Sequence, residues 1–113
     1  MKGLFGILKD NGFEEPLADY GNYAAYDPTV RGCKVEAPFV INAKDGYVGL
    51  EYEMIDWILS LARGEDCQWR LLAQKYYSKQ TPNAKPRHID ELVLLVDGQE
   101  EVYFFDITAA FEL

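Results

Sequence analysis

A carboxylic acid surrounded by apolar side chains keeps its proton to unusually high pH, and this is the setting in which general acids work. Glu51 meets that description if residues 47–63 form one helix. On a helical wheel it then falls inside the apolar arc, between Ile55 and Ile58. Two plainer readings stand beside this one. Glu51 lies near the helix start, where the helix dipole favours a negative charge, and it could pair with Arg31 or Lys34. His88, the one histidine, could act as a base near neutral pH. It sits after Pro86-Arg87 and before Asp90-Glu91, at a loop-to-strand junction where an exposed or capping imidazole is the simpler reading. Spacing names no partner that would complete a Ser-His-Asp or Cys-His arrangement. Glu51 and His88 are therefore weak catalytic candidates, and an enzyme is the less favoured class.

Cofactor and metal chemistry find little footing. Cys33 and Cys67, with one histidine, cannot assemble a Cys/His zinc set within one chain. The glycines follow neither the dinucleotide nor the phosphate-loop spacing. No cofactor and no metal are expected. Two cysteines are also too few for a secreted disulfide framework, so reduced thiols and a cytoplasmic location are the reading.

Charge is more informative. The chain has 19 acidic and 11 basic residues, for a net charge of −8. Yet the window Cys67 to His88 has no acid and holds Arg70, Lys75, Lys79, Lys85 and Arg87, so it carries +5 against −13 elsewhere. A basic strip on an acidic body suits an acidic protein surface, a phosphate, or the acidic side of a second copy. Trp69, Tyr76 and Tyr77 interleave with the cations, a pattern that can bind single-stranded nucleic acid. Against that, Trp69 and Tyr76 are wanted for a core, and nucleic-acid binders are usually basic as whole domains. Tyr20, Tyr23 and Tyr26 recur every three residues and supply either a contact surface or packing onto their own domain.

These groups must be held by a single domain, since 113 residues is one domain in length. No apolar run approaches the length needed to span a bilayer. Residues 2–10 can form a short helix. The segment 16–27 between Pro16 and Pro28 is open between helix and ordered loop. Val35 to Ile41 reads as a strand, with Pro38 pointing to an edge. A helix over 47–63 follows, capped by Asp45 and ended by Gly64, with Leu50, Met54, Trp57, Ile58 and Leu61 on its stripe. Trp69, Leu72, Ala73 and Tyr76 have helical spacing, so a second helix from Asp66 to about Lys79 is expected, making an αα-hairpin. Leu92–Val96 and Val102–Ile107 flank Asp97-Gly98 as a β-hairpin.

The expected architecture is an α+β domain of order α-β-α-α-β-β, with an antiparallel sheet against an αα-hairpin. Both faces of that sheet need cover, from the N-terminal segment or from a two-fold partner, and a homodimer is the expected form. The expected function is binding to another protein, with nucleic acid second, a small-molecule-binding protein or enzyme with buried Glu51 third, and no membrane partner. The binding surface comprises Arg70, Lys75, Lys79, Lys85, Arg87, Tyr77 and the three N-terminal tyrosines. Size and acidity also fit an accessory or inhibitor-like protein of a mobile element.

Overall fold

Asp97 and Gly98 form the expected hairpin turn in the computed structural model, which describes residues 20–80, 82 and 85–111. Both turn residues have positive φ, 46° and 85°. That geometry matches the right-handed twist of the strands it joins, β3 (Arg87–Val96) and β4 (Gln99–Asp106). A Cβ on residue 98 would meet open space, so the demand for glycine there is purely conformational. Gly98→Val is therefore expected to cost about 1–3 kcal/mol in urea unfolding. A variant as stable as the parent would show that the turn does not need this backbone.

The hairpin pairs Val96 with Gln99 and runs in register to Ile89 with Asp106. β3 is apolar on consecutive residues, and such a strand belongs in a sheet's interior with both faces covered. It takes β2 (Trp69–Lys79) as its second antiparallel neighbour, from Trp69 opposite Val96 to Lys79 opposite Arg87. A bulge between Leu71 and Ala73 inserts one extra residue. β1 (Phe39–Val40) adds on the far side of β4 and is parallel to it, giving the order β1-β4-β3-β2.

The chain is α+β, but three expectations are corrected. The αα-hairpin does not form, because residues 69–79 are the strand β2. Helical spacing of Trp69, Leu72, Ala73 and Tyr76 lost to the ladder that β3 requires, since the interior strand's backbone groups need partners on both sides. The sheet is mixed, not purely antiparallel, and of Val35–Ile41 only two residues form a strand. The helix α1 (Tyr47–Arg63) has the expected span, yet Gly46 occupies its N-cap with no side-chain cap bond, in place of Asp45. Gly64 does end it. The expected helix over 2–10 lies outside the described residues; within 16–27, Tyr20–Tyr23 form a 3-10 turn.

α1 buries Leu50, Glu51, Met54, Ile55, Ile58 and Leu59. This face is rotated from the expected stripe: Trp57 is half-buried and Leu61 exposed. It packs on Leu92, Leu94 and Val96 of β3 and on Tyr103 and Phe105 of β4. The segment before β1 closes the core's edge. Gly32, at φ 89°, accepts a bond from Phe104 N–H at 2.7 Å. A Cβ there would fall 2.1 Å from the Phe39 ring, so only glycine fits.

Candidate functional site

β2 places the basic residues. Side chains alternate between faces of a strand, and the bulge at Leu71/Ala73 resets the alternation. By register, Arg70 faces Leu95, Lys75 faces Glu91 and Lys79 faces Arg87, all on the side of the sheet opposite α1. The cations expected along a helix are thus brought together as a row on a strand. Lys75 Nζ lies 3.8 Å from Glu91 and Arg87 Nε 3.7 Å from Asp106, with both cations well exposed. Exposed pairs at such distances contribute little to stability. Lys85 is exposed just before β3. Tyr77 is half-buried in the same row; its hydroxyl donates to Glu91 at 3.4 Å, and burial with the nearby Glu91 charge pushes it up to about 12.

Among the described residues β2 has a strand neighbour on one side only, so it is an edge. Its first residues are anchored to the hairpin turn. Asp97 accepts from Gln68 N–H at 2.9 Å and its own N–H donates to Gln68 O at 2.8 Å. A hollow of about 220 Å³ opens there, lined by Gln68, Trp69, Arg70, Leu95, Asp97 and Gly98.

On the α1 side of the sheet, two carboxyls meet in the core. Glu51 is 0% exposed and Asp90 1%. Desolvation first, then a hydrogen bond and charge from Asp90, push Glu51 up to about 10. Glu51 is therefore a neutral acid at physiological pH. Asp90 accepts from Gln74 of β2 at 2.7 Å, and Tyr52 of α1 donates to Gln74 at 3.4 Å. Among the described residues neither Glu51 oxygen nor Asp90 Oδ1 makes a hydrogen bond of normal geometry. The apolar position of Glu51 was legible on the helical wheel; its partner is Asp90, not Arg31 or Lys34. Alternation along β3 held the signal for Asp90, which shares a face with Leu92, Leu94 and Val96.

A buried ion pair was not foreseen. Arg63, the last residue of α1, grips Glu101 with two bonds of 2.6 and 3.0 Å, and its Nε donates to Tyr23 O at 2.8 Å. Tyr103 donates to the same carboxylate at 2.7 Å. Burial pushes the Cys33 thiol up to about 12, and the nearby Glu101 charge adds to this. Cys33 and Cys67 are both free.

The N-terminal tyrosines divide. Tyr23 is 4% exposed and donates to Arg31 O; Tyr26 is half-buried with its hydroxyl on Val102. Both are packing residues. Tyr20 opens the 3-10 turn. His88 stacks with Tyr76 and Phe111, ring centres 5.8 and 4.2 Å away, and its Nδ1 bonds the Tyr76 hydroxyl. Among the described residues no carboxylate or thiol is bonded to its ring. No group of three His, Cys, Asp or Glu that could hold a metal ion occurs there either, and no described helix is long and apolar enough to cross a membrane. Comparison with known protein families, with curated proteins and with solved structures finds no match to this chain.

Proposed function

We propose that this is a cytoplasmic protein that works by binding another protein, through β2 and the basic row it displays. The observation that carries this is the placement of Arg70, Lys75 and Lys79 on one face of an eleven-residue edge strand that holds no acid. An edge strand offers unpaired backbone groups, and its row of like charge selects a partner of opposite sign. Nucleic acid is the weaker fit. Tyr77 is engaged with Glu91 instead of free to stack on bases. An enzyme built on Glu51 is weaker still, because a fully buried carboxyl cannot touch a substrate and the hollow at Gln68–Arg70 does not include it. On the face away from α1, Ile89 and Val93 are buried within one chain while Leu95, Val102 and Phe104 are only partly buried, so a homodimer through that face stays a second reading.

Reversing Lys75 and Lys79 to Glu tests the proposal. Capture of partner protein from native-host extract should fall at least about tenfold, while the melting temperature moves little, because Lys75 is exposed and Lys79 half-buried at the strand end, and surface charges of this kind carry about 1 kcal/mol of stability or less. Undiminished capture, or salt-resistant binding of a single-stranded oligonucleotide by the purified protein, would contradict it.

A further inference from the structure

We infer that β2 receives its partner by strand addition, and that the occupant is an extended segment carrying acidic side chains at alternate positions. The inference rests on the protein-binding reading above and specifies its geometry. Beyond the bulge, Ala73 to Lys79 is an unbroken run in register with Val93 to Arg87, so the outer edge of β2 is straight over the same seven residues. An added strand would continue the ladder through backbone hydrogen bonds and set its side chains alternately above and below the sheet. On the face away from α1 those side chains would lie beside Lys75 and Lys79, with Tyr77 between them. On the other face they would meet Gln74, Tyr76 and Ser78.

Charge chooses the occupant. Residues 69–79 include Arg70, Lys75 and Lys79 and no acid. Two copies of β2 paired edge to edge would bring six cations into one short ladder, with like charges on adjacent strands. Lysines and a bulge on an edge are also the means by which sheets avoid pairing with themselves. The same features that bar a second copy admit a strand with Glu or Asp in the matching row. Lys75, 65% exposed and held by Glu91 only at 3.8 Å, can turn to such a carboxylate without losing a strong bond.

The probe is an acetylated, amidated octapeptide alternating Glu and Thr, titrated into the isotopically labelled full chain. The expected result is backbone amide shifts concentrated at Ala73–Lys79. Its affinity should exceed by about tenfold that of a Lys/Thr peptide, which tests charge, and that of a Glu/Thr peptide N-methylated at alternate residues, which tests the ladder. The variant Lys75→Gln with Lys79→Gln, whose fold is checked by its own spectrum, should lose the preference for Glu over Lys. Equal binding of the N-methylated peptide would overturn strand addition, leaving a side-chain contact and so the broader proposal intact. Shifts centred away from β2, or no binding by the Glu/Thr peptide, would also overturn it.

Discussion

Arg63→Met is expected to destabilise the protein by ~3–5 kcal/mol, because it strands the Glu101 carboxylate in the core without its counter-charge. Glu101 is 2% exposed and holds both terminal nitrogens of Arg63, while Arg63 Nε also fixes the Tyr23 carbonyl. One side chain thus ties the end of α1 to β4 and to the turn at Tyr20–Tyr23. Tyr103 still donates to Glu101 in the variant, but a single neutral hydroxyl does not replace a bidentate guanidinium. Pairing Arg63→Met with Glu101→Gln should recover a large part of the loss, since the buried charge is then gone. Chemical denaturation of the two variants checks this. A single variant within ~1 kcal/mol of the parent would mean that water reaches Glu101 and screens it.

Glu51→Gln should have the opposite sign, and its size should depend on pH. The folded-state value of Glu51 is raised from 4.5 to about 10, with burial as the first cause and Asp90 as the second. The folded chain therefore binds more protons than the unfolded one across that interval. Stability from this group is complete below about pH 4.5 and is lost as pH rises toward 10, by up to ~1.4 kcal/mol per unit. Glutamine keeps the shape, has no proton to lose, and can donate to Asp90. The variant should gain on the parent as pH rises, by roughly 2–4 kcal/mol near pH 8. The groups that face the pair do not reverse this. Gln74 and Tyr52 are neutral, and Tyr47 is pushed up, by burial first and then by the charges of Asp90 and Glu51, so it stays protonated over the same range. Urea unfolding of both proteins at about pH 5.5, 7 and 8.5 gives the difference directly. A difference that does not change with pH would mean that Glu51 is ionised in the folded protein.

The two elements read correctly from sequence, α1 and the β3–β4 hairpin, are those whose signals are local. Asp97-Gly98 needs only its own φ angles, and seventeen residues with a strong apolar periodicity need only each other. The strand β2 was read as a helix because Leu, Ala, Gln, Lys and Arg are good helix formers and its apolar spacing also fitted one. What decided otherwise was remote: β3 required a second neighbour, and eleven residues of ladder outweigh a few tenths of a kcal/mol of propensity per residue. The same reason hid the pairing of β1: a strand was legible within Val35–Ile41, but its parallel partner β4 was not, since that pairing goes with Phe39 packing against Gly32, Tyr103 and Phe105. Of the candidate site, the cations were legible as a sequence cluster, but their common face was not: positions 70 and 75 fall on opposite faces of a regular strand, and only the bulge at Leu71/Ala73 brings Arg70 into line with Lys75 and Lys79. Glu51 could be placed in the core but not given its partner, since Asp90 is 39 positions away and meets it only after β3 packs under α1.

Contact through the outer edge of β2 is most directly tested by position-specific crosslinking in the native host. A photoreactive residue at Ser78, on the exposed edge of β2, is compared with one at Glu53, on the exposed side of α1. The account predicts a discrete protein adduct from position 78 alone, abolished when Lys75→Glu and Lys79→Glu are introduced in the same chain. An adduct of equal yield from position 53, one indifferent to those two charges, or one made of nucleic acid would contradict it.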